Sequence, residues 1–197
     1  MKRAIFFSKV HELKQQYGFY NPRILCELVR IYCTSFYGSP LWALNSDEHL
    51  KLLRSWNTAT RTIWNLPHNT HNRFLEYLND TPHLQSIIHA RYIGFMSNIL
   101  KSEKRHMKII LNLCKDNMKT VTGQNLSLLK SKYNCDLIQD LISLKASIKQ
   151  QRVHSLCKEE QWKIPLLEEL CLVKNKNLDL DFDQDYIESI IKDISAN

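Results

Sequence analysis

The sequence predicts an all-α fold, an irregular bundle of many helices. The chain has 197 residues, enough for a domain with a real core, and contains 4 Gly and 5 Pro. So few turn-forming residues disfavour a sandwich or barrel of many short strands. Apolar residues instead recur at helical spacing along most of the chain. No stretch reaches the roughly 18 apolar residues that a membrane helix needs, so we expect no membrane span and no membrane partner.

Two helices are predicted at the start of the chain. The first covers residues 2–17 and ends at Gly18. The second begins after Asn21, with Pro22 at its first position, and runs to about Tyr37. The residues predicted to face the core in these two helices are Phe6, Val10, Leu13, Tyr17, Leu25, Leu28, Val29, Tyr32 and Phe36.

The clearest helical pattern lies between Asn45 and Asn65. Asn45 and Ser46 can cap the start, and acidic residues in the first turn suit the positive end of the helix dipole. Pro67 is predicted to end the helix. One wide face is predicted to be buried, and it consists of Leu52, Leu53, Trp56, Ala59, Thr60, Ile63 and Trp64.

The opposite face of this helix forms the cationic stripe, which we define as Lys51, Arg54, Thr58, Arg61 and Asn65. Long cationic side chains reach phosphates, and small polar residues let a helix lie close to a duplex backbone. The stripe is therefore a candidate surface for sequence-independent binding of nucleic acid. The alternative is an ordinary solvated helix face.

Three more helices are predicted before residue 116. A short one follows the polar loop HNTHN, and a long one begins with Thr81 as cap and Pro82 at the first position. Another covers Ser102 to Lys115. The residues predicted to face inward are Phe74, Leu75, Leu78, Leu84, Ile87, Ile88, Arg91 or Tyr92, Phe95, Ile99, Met107, Ile110, Leu111 and Cys114.

The C-terminal third of the chain is also predicted to be mostly helical. Residues 117–124 are predicted as a loop marked by Gly123, and Asn125 is predicted to cap the helix that follows. Another helix starts at Asp136. Its inward residues are predicted to be Leu137, Leu141, Leu144 and Ile148. Residues 149–161 fit either a continuation or a linker, and beyond them we predict a short helix at 164–173, an extended segment within 175–183 and a last amphipathic helix.

The charge is unevenly distributed along the chain. The net charge is +7, and residues 1–110 carry 15 Lys and Arg against 7 Asp and Glu. Residues 179–197 carry one Lys against six acidic residues. A basic front with an acidic tail indicates a polyanionic partner for the front, although a solvated basic surface gives the same composition.

The cysteines indicate buried thiols in a reducing compartment. The six Cys lie at least seven residues apart, and no C-x-x-C pair exists, so we predict neither a structural zinc site nor disulfides. Cys26 and Cys33 fall on an apolar helix face. The N-terminus has an apolar run too short for a signal peptide. We therefore expect an intracellular location, in the nucleus or cytoplasm.

The loop after the central helix contains the pattern H-x-x-H, formed by His68 and His71. No carboxylate or third ligand stands close in sequence, so we predict no metal site and no catalytic base. His71 is predicted to cap or orient the turn, and Arg73 to contact phosphate. The other prominent histidines, His83, His89 and His106, are predicted to be surface or interface residues.

Several segments resemble one family when they are taken in order. The central stretch reads FYGSPLW, then a leucine-rich helix with WN and R-x-I-W, then LPHNTHNRFL. Cys33 precedes YGS, residues 122–126 read TGQNL, and residues 162–170 read WKIPLLEEL. This order resembles the region that follows the palm in non-LTR (LINE-type) retrotransposon reverse transcriptases, over nearly the whole chain.

The resemblance implies a helical thumb that grips the primer–template duplex, either an RNA–DNA hybrid or a DNA duplex. It divides the chain into a basic thumb-like region, residues 1–116, and a smaller helical C-terminal region with an acidic tail, residues 117–197. It implies a palm domain of a parent polypeptide as partner. The nucleic-acid-binding residues are predicted to be Lys51, Arg54, Thr58, Arg61, Asn65 and Arg73.

Catalysis is not expected from this chain alone. The family's polymerase holds two metal ions on palm aspartates in a Y-x-D-D turn, and this sequence has no Asp-Asp pair. Magnesium would belong to that palm, so no cofactor, metal ligand or catalytic residue is predicted here, and the family's endonuclease is missing too. We expect a fragment or truncated copy of a reverse transcriptase. The alternatives are a helical protein-interaction domain and a decayed copy of an element.

Overall fold

A computed structural model describes residues 2–18, 21–33, 38–79, 82–150, 164–165 and 168. The described residues form α-helices and one short 3₁₀ helix, Ser39–Leu41, and contain no β-strand. The predicted all-α fold is therefore confirmed. The helices are α1 (Lys2–Tyr17), α2 (Pro22–Cys33), α3 (Asp47–Trp64), α4 (Asn72–Leu78), α5 (Leu84–Lys101), α6 (Arg105–Cys114), α7 (Val121–Tyr133), α8 (Ile138–Ser143) and α9 (Lys145–Gln150).

The chain divides into two compact units that alternate along the sequence. Unit A contains α1, α2, α4 and the part of α3 that begins at Arg54. Unit B contains the 3₁₀ helix, the part of α3 that ends at Leu53, and α5 to α9. The boundary that we predicted between residues 116 and 117 does not coincide with this division, and it stays a prediction about this chain.

The core of unit A forms around the tryptophans of α3. The rings of Phe6 and Trp56 lie 6.2 Å apart, and the indole N–H of Trp64 donates to Asn79 Oδ1 at 2.8 Å. A buried Trp needs such a partner for its polar atom. The buried apolar residues of unit A are Phe6, Val10, Leu25, Cys26, Val29, Cys33, Trp56, Ala59, Ile63, Trp64, Phe74, Leu75 and Leu78.

The prediction for α3 is confirmed in both its ends and its buried face. Ser46 Oγ accepts from the backbone N–H of His49 at 3.3 Å, as a helix cap does. The helix ends where Asn65 adopts the left-handed φ of 51°, a conformation that Asn tolerates better than most residues. All seven residues predicted for the apolar face are buried, with His49 and Ser55 as additional buried residues.

Unit B is organised around α5. Eleven of the eighteen residues of α5 are buried, because α9, the 3₁₀ helix, α6 and α8 all pack on it. A helix covered on several sides shows little contrast between its faces, so the single stripe predicted for it describes only part of its burial. The other helices of unit B contribute the buried residues Leu111, Leu126, Leu129, Leu141 and Ile148.

The predicted start of one helix is wrong, and the predicted end of another is not tested. The described part of α2 runs to Cys33, and residues 34–37, over which we predicted it to continue, lie outside the described residues. Helix α5 begins two residues later than predicted, because His83 caps it by accepting from the N–H of Gln85 at Nδ1, 3.2 Å away. The predicted cap, Thr81, lies outside the described residues.

The segment TGQNL is helical rather than a loop. Thr120 caps α7, since its hydroxyl oxygen accepts from the N–H of Gly123 at 3.0 Å. Asn125 therefore lies within the helix instead of capping it. The helix predicted from Asp136 is divided into α8 and α9 at Leu144. Leu144, which we predicted to face inward, is exposed.

Some residues predicted to face inward are exposed, because the neighbouring elements cover a different sector of their helix. The prominent ones are Tyr17, Tyr32, Ile110 and Leu137. Conversely, His83 and His89 are buried, although we predicted them at a surface or interface.

The remaining predictions concern the end of the chain. Of the predicted helix at 164–173, only residues 164, 165 and 168 are described, and they are helical. The predicted extended segment and last helix lie outside the described residues. None of the described helices combines the length and the apolar content that crossing a bilayer requires.

Candidate nucleic-acid interface

Five of the six predicted binding residues belong to unit A, and the sixth, Lys51, belongs to unit B. Lys51, Arg54 and Asn65 are exposed. The others, Thr58, Arg61 and Arg73, are half-buried. The α3 residues of the set lie opposite the buried tryptophan face, as the helical spacing predicts. Their role in binding stays a prediction.

Arg54 is the most available cation of the stripe in unit A. Its side chain is exposed, and among the described residues no carboxylate forms an ion pair with it. Lys51 differs, because its ammonium pairs with Glu48 at 2.9 Å one turn earlier on the same helix. Such exposed pairs are weak and exchange readily with other anions.

Arg61 has a structural task at the end of α3. Its Nε and Nη2 donate to the carbonyl oxygen of Thr70 at 3.0 and 2.6 Å. Nη2 also donates to Asn72 Oδ1 at 2.6 Å. These bonds hold the loop between α3 and α4 against α3. A guanidinium carries five N–H donors, and among the described residues the Nη1 group of Arg61 has no hydrogen-bond partner.

The threonines of this face use their hydroxyl hydrogens within the helix. Thr58 Oγ1 donates to the carbonyl oxygen of Arg54 at 3.0 Å, and Thr62 Oγ1 donates to that of Thr58 at 3.0 Å. Such bonds to the preceding turn are common for Thr in helices. Thr58 therefore offers a ligand a hydrogen-bond acceptor and a small side chain, and its hydroxyl hydrogen is not available to donate to a phosphate.

Lys14 is a cation at this surface that the sequence patterns did not identify. It lies on α1, and its Nζ donates to the carbonyl oxygen of Thr62 at 2.6 Å and to Asn65 Oδ1 at 3.0 Å. Partial burial lowers the pKa of Lys14. It is 48 residues from Thr62 in sequence, so no local spacing connects the two.

The loop after α3 gives no sign of a metal site. His68 and His71 are both exposed. His71 occupies the cap position of α4, as predicted, but its side chain makes no cap hydrogen bond. Within the described part of the chain, no three His, Cys, Asp or Glu side chains lie close enough to hold a metal ion. The guanidinium carbon of Arg73 lies 5.2 Å from the ring centre of Phe74.

In unit B, two of the segments that carry the family resemblance meet through one side chain. Asn125 of TGQNL is buried. Its Nδ2 donates to the carbonyl oxygen of Trp42 at 2.7 Å, and its Oδ1 accepts from the N–H of Leu44 at 2.9 Å. The YGSPLW segment is thus joined to the start of α7.

A second group of cations lies where α5 meets α6 in unit B. Its members are all exposed, and they are Lys101, Lys104, Arg105 and Lys108. The same helix α6 also exposes Ile109, Ile110 and Leu113 by half or more. A phosphate backbone gains nothing from aliphatic side chains, so this surface is less suited to a duplex than the one in unit A.

Comparison of the chain with models of protein families, with curated proteins and with solved structures found no significant match.

Proposed function

We propose that this chain binds the backbone of a nucleic-acid duplex, as the thumb and C-terminal portion of a LINE-type reverse transcriptase. One observation carries the proposal: unit A has an exposed Arg54 and a half-buried Arg61 on one face of α3, and no described carboxylate pairs with either. Phosphates supply the negative charge that this face lacks. The order of the sequence segments, from FYGSPLW to TGQNL, supports the family.

In this function the chain binds the duplex, and the palm of the parent polypeptide catalyses polymerisation. The duplex would be an RNA–DNA hybrid or DNA, bound without regard to base sequence. The palm of the parent reverse transcriptase would hold the catalytic aspartates and their Mg²⁺. Nuclear or cytoplasmic placement suits this role, and the free thiols of the described cysteines are compatible with a reducing compartment.

Binding of a labelled RNA–DNA hybrid over a range of salt concentrations tests the proposal. We expect log affinity to fall linearly with log salt, with a slope of about −0.9 for each phosphate neutralised. Changing Arg54→Gln should weaken binding about three- to tenfold and make the slope less steep by about one. The matched control is Lys149→Gln, since Lys149 is an exposed cation of α9. Equal binding by both variants contradicts a role for Arg54.

A protein-interaction domain is the second candidate function, and the exposed aliphatic residues of α6 favour it. The two candidates predict different results in the same titration. A chain that does not bind hybrid even at low salt contradicts duplex binding and leaves the interaction domain as the better account.

A further inference from the structure

Helix α1 brings Lys14 to the C-terminal end of α3 in unit A. The ammonium lies 2.6 Å from the Thr62 carbonyl oxygen and 3.0 Å from Asn65 Oδ1. Both acceptors lie at the end of the cationic stripe, the second within it. The contact therefore adds a cation from another helix to the surface that α3 presents.

The end of α3 needs such a cation if it is to face a phosphate. The last carbonyl groups of a helix lack partners within the helix, and they give its C-terminus a partial negative charge. That charge repels a phosphate from the same end of α3 that carries Arg61 and Asn65. Lys14 opposes it, because its ammonium donates directly to the Thr62 carbonyl.

We propose that Lys14 contacts a backbone phosphate and extends the duplex-binding surface of unit A from α3 onto α1. An ammonium has three N–H donors. Among the described residues two are used, by Thr62 and Asn65, and one remains for a phosphate oxygen. The inference rests on the proposed duplex binding and adds a second helix to it.

The environment of Lys14 suits an anionic ligand. The side chain is half-buried, and no described carboxylate forms an ion pair with it. Burial without a counter-ion disfavours the charged form, which is why the pKa of Lys14 is lowered. A phosphate would offset that penalty, so binding should favour the protonated lysine.

A purely structural role for Lys14, as a cap of α3, predicts a different result from a binding role. Lys14→Gln keeps an N–H donor, on a side chain one bond shorter, but removes the charge. Lys14→Arg keeps the charge. Lys9→Gln removes a charge from an exposed position of the same helix α1, and serves as the matched control.

The experiment measures hybrid affinity against salt for the full chain and these three variants, after circular dichroism has compared their helical content. We expect Lys14→Gln to bind about fivefold more weakly with a slope less steep by about one, while Lys14→Arg and Lys9→Gln stay within about twofold of the unaltered chain.

Each other outcome overturns the inference. Unchanged affinity and slope in Lys14→Gln make Lys14 a cap only, and so does loss of helical content in that variant. Equal losses in Lys14→Gln and Lys9→Gln indicate a general charge effect. If the unaltered chain does not bind hybrid, the proposed function itself is overturned. This outcome is distinct from the others because it is seen without any variant.

Discussion

Asn125 is a single buried side chain that fixes a distant loop. It accepts from Leu44 N–H and donates to the Trp42 carbonyl, which lies 83 residues earlier in the chain. The sequence predicts Asn125 as a helix cap within TGQNL, and it does not show these contacts with residues 42–44. Its contacts depend on packing between segments that no local pattern relates.

We predict that Asn125→Ala destabilises the protein by about 2–3 kcal/mol, because it leaves a backbone donor and acceptor of the 42–44 segment without partners. Urea denaturation monitored by circular dichroism measures the change. Asn112→Ala is the control, since Asn112 is exposed on α6. A loss below about 0.5 kcal/mol for Asn125→Ala, within the range of surface substitutions, would show that other groups or water replace the amide.

His89 is a fully buried imidazole in unit B, and it shares a hydrogen bond of 2.8 Å with the Tyr133 hydroxyl through Nδ1. Burial is the main cause that lowers its pKa to about 3, and Lys132, His49 and His83 add to the effect. The folded protein therefore keeps His89 neutral at pH values where an unfolded histidine takes up a proton.

This difference predicts lower stability in acid. Below pH 6.5 the unfolded chain binds a proton at His89, whereas the folded chain binds it only near pH 3. The free energy of unfolding therefore decreases as pH falls. The contribution is on the order of 4 kcal/mol between pH 7 and pH 3. His89→Gln should flatten the pH dependence of the unfolding free energy, whereas His106→Gln, at an exposed site, should not. Parallel curves for all three proteins would exclude His89 as the source.

At the scale of elements, α3 and α4 were the most predictable parts of the chain. Their apolar residues recur at one spacing and face one side, and Ser46 and Pro67 mark the limits of α3. The start of α7 was not predictable from Gly123, because glycine usually ends helices. Here Thr120 supplies the cap, and Gly123 is needed for a different reason.

That reason is a close approach of the backbone. A Cβ on Gly123 would lie 2.1 Å from the Asn117 carbonyl oxygen and 2.9 Å from that of Cys114. A Cβ on Gly94 of α5 would meet the Nζ of Lys145 at 2.8 Å, which is the movable end of a flexible side chain. Substitution by alanine should therefore have different consequences at the two glycines.

We predict that Gly123→Ala destabilises the protein by about 2 kcal/mol or more through backbone displacement at the α6–α7 connection. Gly94→Ala should be neutral or stabilise by up to about 1 kcal/mol, because alanine is the better helix former. Thermal unfolding of the two variants compares them directly. Similar melting temperatures would mean that the connection between α6 and α7 adjusts at little cost.

The candidate interface was predictable only along its own helix. The spacing of Arg54 and Arg61 places both on the exposed side of α3. It does not show that Arg61 holds the Thr70 carbonyl, or that Lys14 arrives from α1. Those contacts depend on how the helices pack, and they join residues too far apart in sequence for a local pattern to predict them.

For the whole molecule, the cysteine thiols differ in how deeply they are buried in the two units. Cys26 is buried, and burial raises its pKa to about 12. Burial also raises the pKa of Cys33. Cys114 in unit B is only half-buried. Because the thiolate is the reactive form, these sites differ in their rate of alkylation.

We predict that Cys114 reacts first among the four described cysteines when the native protein is treated with iodoacetamide. Cys26 and Cys33 should react only at denaturant concentrations that open unit A. Peptide mass spectrometry assigns each site separately. Early labelling of Cys26 would contradict the packing of α2 against its neighbours.

The two compact units cannot be recognised from contiguous segments of the sequence. The boundary between residues 116 and 117 follows from the family resemblance and stays a prediction. Each compact unit combines segments that are distant in sequence, and the change from one unit to the other lies between Leu53 and Arg54 inside α3. Spatial grouping of this kind arises from burial of apolar faces that are far apart in sequence.

Interleaved units also limit how this gene product can be shortened. A stop codon after residue 81 would leave α1 to α4 but take away α5 to α9, which belong to the same unit as the 3₁₀ helix and the part of α3 that ends at Leu53. A start at residue 82 would remove that same half-helix from the remainder. Neither unit corresponds to one uninterrupted stretch of codons, so a single truncation cannot isolate either unit intact.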